Sequence, residues 1–208
     1  VFQTITRDLL PDIRARKTDR TLRIWSAGCS TGQEAYSMAI AIRNNAEMWD
    51  GWNVHITATD VSTSVVAQAR SGKYSQIDVQ RGLAINDLLR WFEPVGDDWR
   101  ISDTLRHMID FRVDNLFDSK IPTGRFDLIL CRNVLLYFST EWRRKVFDRL
   151  ASQSDIGTFL LLGAGETVID QTADFSASAK FPGVYQRVSS GSAEFIPSSA
   201  HSRVVRRF

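Results

Sequence analysis

Short apolar runs recur along the chain, each ended by small or turn-forming residues and followed by a stretch with helical spacing. Leu22 to Ala27 is the first run, and it breaks at a Gly/Ser/Thr segment. Ala35, Met38, Ala39 and Ile42 then recur at helical intervals within Gln33 to Met48. Val54 to Thr59 is a second run, closed by Asp60, with Ser62 placed to cap a helix reaching Arg70 and Ser71-Gly72 placed to stop it. "FDLILC", Phe126 to Cys131, is a third, followed after a loop by a polar-faced helix from Thr140 to Ala151. "GTFLLL", Gly157 to Leu162, is a fourth, and β-prone residues return near Val184 to Val188. Short apolar strands separated by helices predict an α/β protein built on a doubly wound, Rossmann-like parallel sheet covered on both faces.

One segment departs from this rhythm. Arg81 to Val113 reads as a short helix through Phe92, a Gly-Asp-Asp turn, and two short strands at Trp99 to Ile101 and Ile109 to Val113. It is expected to form a small inserted antiparallel subdomain, so that residues 1–188 make one domain carrying an insertion at 81–113. From Ser189 the chain is Ser-rich and without period, which predicts a flexible tail over 189–208.

Composition narrows the function. A chain of 208 residues with 43% hydrophobic content can bury a core. No apolar run approaches the roughly 18 residues that span a bilayer, and the N-terminal stretch has no secretory apolar core, so a cytoplasmic protein with no membrane insertion is expected. Balanced charge, 26 basic against 24 acidic residues, gives no field that would draw nucleic acid. The basic clusters "IRARKTDRTLR" and "SRVVRRF" read as surface. Cys29 and Cys131 lack C-x-x-C spacing and the three histidines are scattered, which argues for free thiols and no metal site.

The turn after the first strand, "AGCSTGQE", carries the chemistry. Gly28 and Gly32 let the backbone turn tightly and approach a ligand. The third glycine or the lysine that a pyrophosphate loop needs is missing, and Glu34 stands at the start of the helix instead. A carboxylate there repels a pyrophosphate and attracts an amino group or a cation. Asp60, at the end of the second strand, suits the two hydroxyls of a ribose. The ligand is therefore expected to be a positively charged nucleoside, and a nicotinamide dehydrogenase is the weakest reading.

"WSAGCSTGQEAYSMA", "ATDVSTSVVAQARSGKY", "FRVDNLFD", "FDLILCRNVLLYF" and "GAGETV" with "VYQRV" occur in this order, and together they resemble the CheR family of chemotaxis receptor methyltransferases over roughly Pro11 to Val188. The resemblance implies a class I methyltransferase sheet that uses S-adenosylmethionine, leaves S-adenosylhomocysteine and needs no metal. It also implies a chemoreceptor cytoplasmic domain as partner and glutamates on its helices as acceptors; a monomer is expected. By motif, Ala27, Gly28, Ser30, Thr31 and Gly32 would wrap the methionine moiety and Glu34 its ammonium. Asp60 would hold the ribose, and Asn115 and Leu116 would flank the adenine. Arg132 and Asn133 would line the pocket beneath the methyl, with Tyr137 beside the sulfonium; Tyr137 and Arg132 are the candidate catalytic residues. The inserted segment would be the family's small β-subdomain, which in some members docks a receptor tail peptide.

The family's N-terminal helical domain and its T-x-F-F-R segment are missing from this sequence. The chain is therefore expected to bind S-adenosylhomocysteine and to transfer methyl groups poorly or not at all alone. Two alternatives share the cofactor residues: a methyltransferase of small molecules, against which the insertion counts, and a non-catalytic S-adenosylmethionine-binding module of a signalling complex.

Overall fold

The computed structural model describes residues 2–117 and 125–189. Its first element is an unbroken helical run: α1 (Phe2–Thr4), a π-helical stretch at Ile5–Leu9, and α2 (Leu10–Arg16). Ile5, Leu9, Leu10 and Ile13 are all buried, so the run is fixed by one apolar stripe. The basic residues that follow are used internally. Arg14 donates to the Met48 carbonyl, Arg16 pairs with Asp12, and Lys17 pairs with Asp127 at 2.7 Å.

From there strands and helices alternate: β1 (Thr21–Ala27), α3 (Gln33–Asn44), β2 (Asn53–Asp60), α4 (Thr63–Ser71), β3 (Lys73–Ser75), α5 (Gln76–Gln80), α6 (Ile85–Trp91), β4 (Phe92–Val95), β5 (Asp98–Ile101), α7 (Asp103–Arg106), β6 (Ile109–Val113), β7 (Phe126–Cys131), α8 (Thr140–Ser152), β8 (Ser154–Leu162), β9 (Phe175–Ala177) and β10 (Tyr185–Arg187). The main sheet has seven strands in the order β6-β2-β1-β7-β8-β10-β9. β6, β2, β1, β7 and β8 run parallel, and β10 is antiparallel to both β8 and β9. The order reverses between β1 and β7, so the carboxyl ends of those strands open a crevice.

Alternating residues divide the core into two layers. Leu22, Ile24, Ile56, Leu128 and Leu130 face one cluster with Met38 and Ala39 of α3 and Val66 of α4. Trp25, Ala27, Ile129 and Leu160 face the other, with Val146, Phe147 and Leu150 of α8. Toward β2 and β6 that side carries Arg23, His55, Thr57, Asp110 and Arg112, which line an open 620 Å³ cavity.

The inserted subdomain does not keep its expected bounds of 81–113. The small sheet has the order β3-β5-β4, so it recruits Lys73–Ser75 from before Arg81 and stops at Ile101. Ile109–Val113 leaves it and runs parallel to β2 in the main sheet. α7 causes the difference, because one helical turn between Ile101 and Ile109 redirects a chain that otherwise reads as a hairpin. The helix expected to reach Met48 ends at Asn44 and passes into a 3-10 turn at Ala46–Trp49. Most of the expected tail, residues 190–208, lies outside the described residues.

Candidate functional site

The turn after β1 alternates its handedness. Gly28 (φ 75°), Ser30 (φ 49°) and Gly32 (φ 91°) are left-handed. The N–H groups of Gly28 and Cys29 both donate to the Thr59 carbonyl at 2.8 Å, tying the turn to the end of β2. A Cβ on Gly28 would lie 2.4 Å from Cγ2 of Val134, and one on Gly32 would lie 2.9 Å from Cβ of Ala69. The two glycines therefore serve different approaches, Gly28 to the loop after β7 and Gly32 to α4. Thr31 accepts a hydrogen bond at its carbonyl from the Tyr74 hydroxyl, 2.7 Å away. Through that bond the small sheet touches the turn.

Asp60 ends β2 with both carboxylate oxygens engaged. Oδ2 accepts from the Ser30 N–H at 2.9 Å and Oδ1 from the Ser62 N–H at 3.0 Å. Ser62 precedes α4, but its hydroxyl lies 3.0 Å from that of Ser64 and does not cap the helix. Glu34, in the first turn of α3, is held by two donors, one from β1 and one from the loop after β7. The Ser26 hydroxyl donates to Oε1 at 2.7 Å, and Nη1 of Arg132 donates to Oε2 at 3.1 Å. Burial pushes the Glu34 carboxyl above its ordinary range, while the Ser26 hydrogen bond and the Arg132 charge oppose the shift. The Nε of Arg132 is buried without a protein partner.

Two cavities open at the strand ends. One, of about 490 Å³, is bordered by Glu34, Arg132, Tyr74, Arg81 and Phe2; the other, of about 430 Å³, by Asp60, Asn115, Leu116, Phe117 and Tyr137. Gly28, Ser30 and Asn133 line both. Nine of the twelve candidate residues thus border these two neighbouring cavities, Glu34 at one and Asp60 at the other. Ala27, Thr31 and Gly32 line neither cavity: Ala27 is buried beneath, and the other two anchor the turn. Asn115 folds its own loop by accepting from the Phe117 N–H. Cys29 also borders the first cavity, and burial pushes its thiol up to about 12, which keeps it protonated.

The loop from Arg132 to Tyr137 crosses between the cavities. Asn133 is left-handed (φ 59°), and a 3-10 turn at Leu135–Tyr137 leaves Tyr137 82% exposed. Glu166, which follows β8, accepts at one carboxylate from the N–H groups of Asn133, Leu135, Leu136 and Gly163. Sequence reasoning gave no role to Glu166, Tyr74 or Val134. For Glu166 there was a signal, an acid just after Gly-Ala-Gly at a strand end. For Val134 there was none.

The carboxylates at the crevice and the glycine that a Cβ would obstruct fit a nucleoside with a charged tail; a pyrophosphate would meet Asp60 and Glu34 as like charges. Residues 1–182 match the family model "CheR methyltransferase, SAM binding domain". A chemotaxis protein methyltransferase from Vibrio parahaemolyticus is 38% identical over 190 residues, 90% of this chain and 68% of that protein. Chemotaxis protein methyltransferase 1 of Pseudomonas aeruginosa is 35% identical, over 89% of this chain and 69% of its own. Among solved structures, a magnesium protoporphyrin IX methyltransferase from Synechocystis PCC 6803 with bound SAM is 20% identical at a TM-score of 0.45, covering 89% of this chain and 79% of that one. Among the described residues no helix is long and apolar enough to cross a membrane.

Proposed function

This chain belongs to the CheR methyltransferase family and is an S-adenosylmethionine-dependent methyltransferase domain, and from that premise we propose that it esterifies glutamate side chains on the cytoplasmic helices of chemoreceptors. When bound, S-adenosylmethionine supplies a methyl group on a positively charged sulfur, which an ionised oxygen displaces in line.

The observation that favours the carboxylate acceptor is that, among the described residues, neither cavity is lined by a histidine, the usual general base near neutral pH. The Cys29 thiol, which borders the first cavity, stays protonated. Glu34, Asp60 and Asp78 are each engaged by hydroxyl, guanidinium or backbone donors. An acceptor that arrives already ionised needs no base, and a glutamate with an ordinary pKa of about 4.3 meets that condition. The residues of the chain then have three tasks: holding, orienting and excluding water. Asp60 holds the ribose, Glu34 with Arg132 faces the amino-acid end, and Asn115 with Leu116 flanks the base. Placement of the two reactants contributes most, at about 7 to 11 kcal/mol for well-oriented partners.

Two outcomes follow. Asp60→Ala should weaken S-adenosylhomocysteine by at least ~1.5 kcal/mol, since hydroxyl bonds to a charged acceptor are lost and Ser30 is released as well. Calorimetry giving equal affinities would remove Asp60 from the site. Tyr137→Phe should lower the methylation rate by a factor of about 2 to 12 with cofactor affinity nearly unchanged, if the hydroxyl acts on the developing transition state. A variant that loses binding at an unchanged turnover number would assign Tyr137 to the ground state.

Receptor fragments labelled with a radioactive methyl donor test the whole reading, run with this chain and with one extended by the upstream helical domain of a relative. Base-labile label at glutamates is the expected product. Base-stable label would mean another acceptor, and cofactor binding with no label from either version would mean a binding module.

A further inference from the structure

The loop that crosses between the two cavities is held by one carboxylate from outside the crevice. Oε2 of Glu166 accepts from the N–H groups of Asn133 at 2.9 Å and Gly163 at 2.6 Å, and Oε1 from those of Leu135 at 2.7 Å and Leu136 at 3.3 Å. Three of these donors, at Asn133, Leu135 and Leu136, belong to one loop, in which Asn133 is left-handed, and they converge on the one carboxylate. Such a concave set of N–H groups is an anion site, and here the chain fills it with its own side chain. On the opposite side Nε of Arg143 donates to the carbonyls of Leu135 and Phe138. The loop is thus fixed by its N–H groups from one side and by its carbonyls from the other.

We propose that Glu166 is a positioning residue for methyl transfer, acting through the Arg132–Tyr137 loop, a role that rests on reading Asn133 and Tyr137 as cofactor-side residues. Tyr137 is 82% exposed, so its ring is aimed by the backbone that carries it and not by packing. Val134, on the same loop, closes over Gly28, so a shift of this loop also reaches the turn after β1. Gly163 completes the device because it leaves room for the carboxylate. A Cβ there would sit 2.6 Å from the Asn133 nitrogen and 2.7 Å from Oε2 of Glu166.

The test compares wild type, Glu166→Gln, Glu166→Asp and Gly163→Ala by S-adenosylhomocysteine calorimetry and by residue-resolved amide exchange. Glutamine turns an N–H toward donors that need an acceptor. It should weaken the ligand at least tenfold and speed exchange at Asn133, Leu135 and Leu136 at least tenfold, with the strand amides of Ile129 and Leu160 unchanged. Glu166→Asp should recover part of both effects, and Gly163→Ala should reproduce the loss even if the glutamine variant fails to fold. Affinity within twofold of wild type in the glutamine and alanine variants, or exchange that quickens equally in loop and strands, overturns the proposal. Failure of the wild type to bind S-adenosylhomocysteine would defeat the cofactor reading, and is distinguishable because the loop exchange would still respond to the substitutions.

Discussion

Gly28→Ala should lower the unfolding free energy by about 2 to 5 kcal/mol and cost much of the S-adenosylhomocysteine affinity. A left-handed alanine costs roughly 1 to 2 kcal/mol, and Gly28 sits at φ 75°. Its Cβ would also stand 2.4 Å from Cγ2 of Val134, and forcing a methyl into filled space costs about 1 to 3 kcal/mol more. Val134 has little freedom to give way, because Glu166 and Arg143 fix the loop on both sides. For a domain of this size the melting temperature should fall by roughly 4 to 20 °C. Val134→Ala in the same chain should restore part of the loss by removing the clash. A single variant that melts and binds like wild type would show that the turn relaxes freely.

The second large effect is expected at Glu34. Glu34→Ala leaves Arg132 beside the crevice without its counter-charge and the Ser26 hydroxyl without its acceptor. Breaking a fully buried pair costs about 3 to 5 kcal/mol; with side-chain exposures of 17% and 26% the expected cost here is ~2 to 3 kcal/mol. Denaturant titration measures it, and a change below about 0.5 kcal/mol would mean that water replaces the carboxylate. The pair also has a pH signature. Because burial raises the Glu34 pKa, the folded chain holds a proton that the unfolded chain has already released just above the ordinary carboxylate range. That contribution to stability is present at low pH and is lost as pH rises through the folded pKa. A cationic ligand favours the ionised form, so binding just above the ordinary carboxylate range should release a proton, and the release should fade as pH rises through the folded pKa. Calorimetry in two buffers of different ionisation enthalpy reads the release, and Glu34→Gln should abolish it.

The sheet was legible in the sequence because its strands are short apolar runs cut by turn residues, and Phe126–Cys131 matches its expected bounds. Asp60 was legible for the same reason, as the polar residue that stops such a run. The edge strand Ile109–Val113 was misassigned because apolar and polar residues alternate alike in a hairpin and in the edge of a large sheet. Only α7 decides between them, and it is four residues long. Lys73–Ser75 is three residues and carries no period. The buried stripe of the first helical run, Ile5, Leu9, Leu10 and Ile13, was present in the pattern but went unassigned. Ser30 and Asn133 could not be read as left-handed, since neither is glycine and their conformation is imposed by bonds to Asp60 and Glu166, 30 and 33 residues away in sequence.

The small sheet leaves and rejoins the main fold at nearly one point: the Ile101 N–H donates to the Gly72 carbonyl at 2.9 Å, and Nε of Arg106 donates to the Arg70 carbonyl. Closing so short a gap costs little chain entropy whatever lies between, so the segment is topologically a cassette that a lineage can exchange without re-threading the domain. Tyr74 limits that freedom. Its ring is buried and its hydroxyl holds Thr31, so any replacement must bring a tyrosine to the same place or leave the turn after β1 with an unanswered carbonyl. Drift among relatives should therefore concentrate on the outer residues of the cassette, such as Val95 and Leu89, and stop at its root.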